Sequence, residues 1–297
     1  MLKVLRQTVT EFNQDECPRM AAALAYYAIF ALPALLALVV AIASFFASRE
    51  DVSGRLTAFF EENMGKTGAA QIQTMLQHAS QSREGWWGSI VSGVLLVVGA
   101  TGVLLELQTA LNRAWGVEPD KNRGGIKAFV MKRVLSFAMV MGIAFLLLIS
   151  LVVSWWLNEF GHLLEQWAPA WMSEGAVQLV DVVASSAVIA ALFAIMLKYL
   201  PDAQLSWRDV LPGALMTTLL FVIGKYAISL YLSYSNVTSA YGIAGSLALV
   251  LLWIYYSAMI FFFGAEFTQV WANTHGRRVT PEAGAVVASP HKAAGAG

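Results

Sequence analysis

The sequence predicts an all-α fold: a polytopic membrane bundle of six transmembrane helices with amphipathic helices on its surfaces. Three observations carry that expectation. Hydrophobic residues make up 58% of the chain and charged residues 13%, whereas soluble domains devote about a quarter of their residues to charge. Six apolar runs recur, at about 20–48, 86–107, 134–157, 177–200, 210–232 and 243–265. Each is long enough to cross a hydrocarbon core of about 30 Å at about 1.5 Å per helical residue. Lysine and arginine, finally, favour alternate connections between the runs, the asymmetry that orients a membrane protein.

Ahead of the first run, Leu2, Leu5, Val9 and Phe12 recur at helical spacing with Lys3, Arg6, Glu11 and Asp15 between them. That is the pattern of a helix lying on a membrane surface. Span one contains Pro33, which removes a backbone donor and presses on the carbonyl of Ile29, so a kink is expected there. Ala41-Ile42-Ala43 resembles a signal cleavage site, but the run exceeds a signal core of about 7–15 residues, and the span is read as retained. Residues 49–85 form the longest hydrophilic connection. Val52, Leu56, Phe59 and Phe60 share one helical face and Ile72, Met75, Leu76 and Ala79 another, which predicts two amphipathic helices against the outer face.

Span two opens on Trp86-Trp87, suited to an interface belt. Its Gly88, Gly93, Gly99 and Gly102 permit close helix approach and place it inside the bundle. The connection after Glu106 gathers Arg113, Lys121, Arg123, Lys127, Lys132 and Arg133. A nucleic-acid patch would use such residues, but a cytoplasmic loop explains them more simply. Span three ends at Trp155-Trp156, and 158–176 holds Glu159, Glu165 and Glu174 without Lys or Arg. Span four carries Asp181, a small face of Ala184, Ala187, Ala191 and Ala194, then Lys198 and the turn Pro201-Asp202. Span five follows Arg208 and Pro212 and contains Lys225. Span six enters through Tyr241, Gly242 and Gly245 and leaves through Gly264, Ala265 and Glu266, the first carboxylate after the apolar run. Residues 1–272 thus form the membrane domain, and the Ala/Gly-rich stretch 273–297, with Arg277 and Arg278, is expected to be a disordered cytoplasmic tail.

Orientation follows from the basic residues. With both termini inside, the inner segments hold fourteen Lys and Arg and the outer loops four, all of the latter in the first loop. Both termini are therefore placed in the cytoplasm. Counted from the span ends, Lys225 lies roughly 9 Å and Asp181 roughly 6 Å below the outer boundary, a shared level at which they form a candidate charge pair. The bland alternative for Lys225 is snorkelling to the interface. Glu266, Glu106 and Lys198 fall near the inner boundary with Arg19 and Arg113, a candidate cluster at the cytoplasmic mouth, for which ordinary interfacial solvation is the alternative.

Several chemistries lose support. Lys and Arg balance Asp and Glu at 19 each, so no net charge points to nucleic acid. The one cysteine, Cys17, rules out an internal disulfide and reads as an incidental thiol near the inner surface. His78, His162, His275 and His291 are scattered and make no metal site of the kind a metal-dependent nuclease needs. The chain has no phosphate-binding G-x-x-x-x-G-K-[ST] loop. No cofactor and no catalytic residue are expected. Membrane lipid and a small charged solute are the partners implied, because ionisable groups within spans are costly and face a cavity or a partner.

Three stretches together, AAALAYYAIFALPALL, LQTALNRAWGV and YGIAGSLALVLLWIYYSAMIFFFGAEFTQV, resemble the YihY/BrkB family of bacterial inner-membrane proteins, once labelled ribonuclease BN. The resemblance covers nearly all of the chain except the Ala/Gly tail. It implies six spans in a bacterial cytoplasmic membrane, and roles in solute or ion flux and virulence-related resistance. Pro33, Tyr241, Gly242, Gly245, Gly264 and Glu266 carry over as family signature. The expected function is a transporter or flux pathway for a small charged solute, an anionic metabolite or ion; the alternative is a structural or assembly protein of the envelope. Ribonuclease activity is not expected.

Overall fold

The computed structural model describes residues 1–44, 48–81, 102–103, 105–119, 174–234, 243–275, 280–282 and 285–287. Span three and nearly all of span two lie outside the described residues, as do Tyr241, Gly242 and the side chain of Asp181. What is described is helical, joined at one end by two short strand pairs.

Helix α1 runs Leu2–Gln14 and α2 Cys17–Ala43. Of the expected apolar stripe on α1, Phe12 is buried, and its ring meets Phe263 edge-on at 5.8 Å, while Leu2 and Val9 are exposed. The turn between the helices is tight: Asp15 closes α1 with its N–H on the Glu11 carbonyl, and Glu16 takes a left-handed conformation at φ 56°. Side chains pay roughly 1–2 kcal/mol for that backbone region. Helix α2 continues through Pro33.

The connection expected to hold two amphipathic helices does so. Helix α3, Arg49–Gln81, is broken at Gly65, whose φ of 73° and ψ of 175° suit glycine alone. Val52 and Leu56 from before the break and Ile72, Met75 and Leu76 from after it share one apolar cluster with Leu36 and Val39 of α2. Phe59, expected on the buried face, is exposed; it lies beside Phe60, which packs on the cluster. The fit is therefore against helices, and Phe60 also reaches Leu249 and Val250.

Helical residues 105–114 end at Gly116, φ 60°, whose N–H reaches the Arg113 carbonyl at 3.0 Å, a left-handed stop that turns the chain into a strand. Strand β1 is Val117–Pro119. Helix α4 is Glu174–Tyr199, and strand β2, Ala203–Gln204, leads to helix α5, Trp207–Tyr234. Of the small face on α4, Ala194 is buried, while Ala187 and Ala191 are exposed. Helix α6 spans Ile243–Thr274. It continues more than two turns past Glu266, where an exit was expected, because Phe267, Val270 and Ala272 are themselves buried.

The stretch read from composition as a disordered tail contributes strands β3, Thr280–Pro281, and β4, Ala285–Val287. Antiparallel pairing sets Val117 opposite Val287 and Ala203 opposite Pro281, so backbone partners supply the order that side-chain composition does not.

Helices α5 and α6 approach through a reciprocal Gly-x-x-x-Thr contact. A methyl group placed on Gly213 would overlap Thr268, and one placed on Gly264 would overlap Thr217. Both threonines are fully buried, each donating its hydroxyl to the glycine carbonyl four residues earlier, at 2.8 and 2.6 Å. Small residues at four-residue spacing are how helices pack where no hydrophobic effect draws them together. Higher up, the Tyr256 hydroxyl packs on Gly224 in the same way.

Outside this contact α5 turns apolar side chains outward. Leu211, Leu215, Leu219 and Ile223 form a four-residue-spaced stripe, 49% to 61% exposed. Among the described residues, Trp207–Ile228 and Leu247–Thr274 are long and apolar enough to cross a membrane. A soluble core helix hides such a face; one that presents it suits lipid.

Candidate functional site

Two polar nodes lie at the end of the bundle where the termini, β1 to β4 and the turn of α1 into α2 meet. The first is built around Glu266. Residues 264 and 268 commit one face of α6 to α5, and at about 100° per residue Glu266 points the opposite way, toward α1 and α2. Its side chain is 1% exposed. The Cys17 thiol donates to Oε1 at 3.5 Å, while Oε2 has no donor among the described residues. Asp15, delivered by the left-handed turn at Glu16, faces Glu266 closely enough for a side-chain hydrogen bond once one of the two carboxyls holds a proton. Without that proton both are acceptors and neither can donate to the other.

Arg113, from helical residues 105–114, closes the node from outside. Its Nε lies 3.5 Å from Asp15 Oδ1 and its Nη1 3.2 Å from Glu16 Oε2, and Arg19 pairs with the same Glu16 oxygen at 2.6 Å. These cationic side chains are 40% and 71% exposed, so water screens them. Burial outweighs Arg113 at Asp15 and holds its carboxyl above the ordinary value. Burial likewise pushes the Cys17 thiol up and keeps it a donor. Among the described residues no three His, Cys, Asp or Glu side chains are arranged to hold a metal ion.

The second node is Asp202, in the turn before β2. Gln108 and Asn112, one helical turn apart, donate to its two carboxylate oxygens at 2.9 and 2.8 Å, and its backbone N–H returns a bond to Asn112 Oδ1 at 2.8 Å. The Asp202 carbonyl then accepts from the Glu282 N–H at 3.0 Å, which ties in β3. One carboxylate thereby joins residues 105–114, the α4–α5 connection and the tail.

The expected mouth cluster is thus divided. Arg113 and Arg19 gather on Glu16, and Arg113 reaches Glu266 through Asp15. Lys198 instead donates to the Leu205 carbonyl at 2.7 Å and lies 5.2 Å from the Trp207 ring, bracing the α4–α5 turn. Glu106 is half-buried and joins no hydrogen bond or ion pair among the described residues. Of the signature residues, Gly264 serves the α5 contact, Gly245 is buried, and Pro33 lies within α2. Lys225 is half-buried on α5; its expected partner Asp181 belongs to α4, with its side chain outside the described residues.

Sequence reasoning missed Asp15, Glu16, Gln108, Asn112 and Asp202, and took Cys17 as incidental. The spacing of Gln108 and Asn112 on one helical face, beside the arginine at 113, was the available signal. The partner of that face lies 90 residues away in the chain, and nothing local names it.

Comparison with known proteins agrees with the membrane reading. Residues 8–287 match the family described as Virulence factor BrkB. A UPF0761 membrane protein of Legionella pneumophila is 25% identical over 93% of this chain and 63% of its own length, and one of Teredinibacter turnerae is 26% identical over 92% and 61%. The ribonuclease-like protein YfkH of Bacillus subtilis is 23% identical over 95% of this chain and 98% of its own length. The chain therefore spans a little over three fifths of the UPF0761 relatives and nearly the whole of YfkH. No solved structure matches. With a match running from α1 to β4, through both polar nodes, the chain belongs to the BrkB family of bacterial membrane proteins.

Proposed function

We propose that the protein sits in the bacterial inner membrane with both termini in the cytoplasm, crosses it six times, and provides a flux pathway for a small charged solute. The observation that carries this reading is Glu266: a fully buried carboxyl, one oxygen of which has no donor among the described residues, on a helix apolar enough to span a bilayer. A carboxyl costs too much there to serve packing, which Gly264 and Thr268 already provide on the other face of α6. Lys225, a half-buried cation within α5, is a second ionisable group on a span-length helix, with Asp181 as its proposed partner near the outer end. The solute is small and charged, and the basic inner loops favour an anion. Nuclease chemistry has no part in this reading, although the name of YfkH carries the word.

The test is flux in reconstituted vesicles. Proteoliposomes should pass organic phosphates, monovalent cations or protons faster than protein-free vesicles, with Lys225→Met slower than wild type, and a reporter fused after Asn273 should read the cytoplasm. Flux no faster than in protein-free vesicles for every solute would sink the pathway and favour an envelope-assembly role.

A further inference from the structure

We propose that Asp15 and Glu266 together bind one proton, taken up from the side on which α1 lies, and that this proton is the ion coupled to solute movement; the coupling rests on the flux reading above. Three observations meet at this pair. Glu266 is 1% exposed, and its Oε2 has no donor among the described residues. Its neighbour Asp15 is another carboxyl within reach of a side-chain hydrogen bond, and two carboxylates at that range disfavour each other's ionised form. Asp15 is 26% exposed, so the pair has one member in contact with water and one without, a path by which a proton enters at Asp15 and is shared with Glu266.

The surrounding charges favour uptake. From α1 comes the acidic Glu11, with Asp15 at the turn that follows; from α2, Cys17 brings a neutral thiol. Residues 105–114 bring Arg113, the one cation in contact with the pair among the described residues, and it touches Asp15 alone. The residues of α5 that meet α6 here, Gly213 and Thr217, bring no charge. On α6 itself Gln269 Oε1 is a further buried acceptor without a donor among the described residues. A site rich in acceptors and poor in donors among the described residues takes the smallest cation. Loss of the proton leaves two facing carboxylates, and their repulsion acts on the α1–α2 turn.

Infrared pH-difference spectra of the full-length protein in lipid vesicles test the binding. Wild type should lose a protonated-carboxyl band as pH rises above the ordinary carboxylate range, and Glu266→Gln, which mimics the protonated form, should lack that band; Asp15→Asn should shift or abolish it. Indistinguishable spectra of wild type and both variants would overturn the proton site. In vesicles, a solute gradient should drive proton movement in wild type, and that movement should be lost in Glu266→Gln. Solute flux without proton movement in wild type would overturn the coupling and leave the flux reading intact. An intact carboxyl titration with no flux of any solute would overturn the flux reading, and the coupling with it, while the proton site stands.

Discussion

Replacing Gly264 by alanine tests the reciprocal contact between α5 and α6 at its tightest point. The added methyl would overlap Thr217 Oγ1 and stand 3.0 Å from its Cβ and 3.4 Å from its Cγ2. Thr217 has no room to yield. It is fully buried and its hydroxyl is held on the Gly213 carbonyl, so a change of χ1 would give up that bond inside a packed helix contact. Relief must come from separating the helices, and overpacking of this kind costs about 1–3 kcal/mol. Thr217→Ala removes Oγ1 and Cγ2, leaving a Cβ contact that a shift of a few tenths of an ångström relieves. The double variant should therefore recover most of the loss, a coupling of about 0.5–3 kcal/mol in a double-mutant cycle. Thermal unfolding of detergent-solubilised protein reads it, and Gly213→Ala with Thr268→Ala should behave alike. Additive single effects, or a neutral Gly264→Ala, would refute the packing argument.

The second node and the carboxyl pair give two more expectations. Asn112→Ala removes both of its bonds to Asp202 and should cost about 2–4 kcal/mol, given about 1.5–3 kcal/mol for a hydrogen bond to a charged group; it should also speed proteolysis after Thr274, and unchanged melting together with unchanged cleavage would count against the clamp. Asp15 holds its proton to higher pH in the folded chain than in the unfolded one, whose value is near 3.8, so its stabilisation is complete below that value and is lost as pH rises through the folded one. Melting temperature should fall with rising pH above the ordinary carboxylate range, less steeply in Asp15→Asn, and an equal slope in both proteins would exclude Asp15 as a source.

The helices were legible because lipid and the helical repeat impose patterns that survive in one dimension. Runs of about twenty apolar residues marked α2, α4, α5 and α6, and the spacing of Val52 with Leu56 and of Ile72 with Met75 and Leu76 marked both halves of α3. What was not legible arises between distant segments. Composition placed 273–297 in disorder because alanine and glycine carry no burial signal, yet strands β3 and β4 form by backbone pairing, which composition does not read. Depth counting drew Glu266, Lys198 and Arg113 to one level without fixing their azimuth around the helices. Azimuth decides the partners: Lys198 turns to Leu205, and Glu266 to Cys17.

That azimuth gives α6 two unequal sides. One is locked, since Gly264 and Thr268 leave α5 no room to slide without collision. The other carries Glu266 against a turn whose hold is weaker: a 3.5 Å thiol bond, screened arginine contacts, and a left-handed residue at Glu16 that stores strain. A change of charge at Glu266 therefore meets a locked glycine–threonine contact on the α5 side and a polar turn on the other. The turn between α1 and α2 is where that change acts, and Phe12 against Phe263 is an apolar contact that opposes its release. The carboxyl stands where one proton changes the balance between a rigid pair of helices and a movable one.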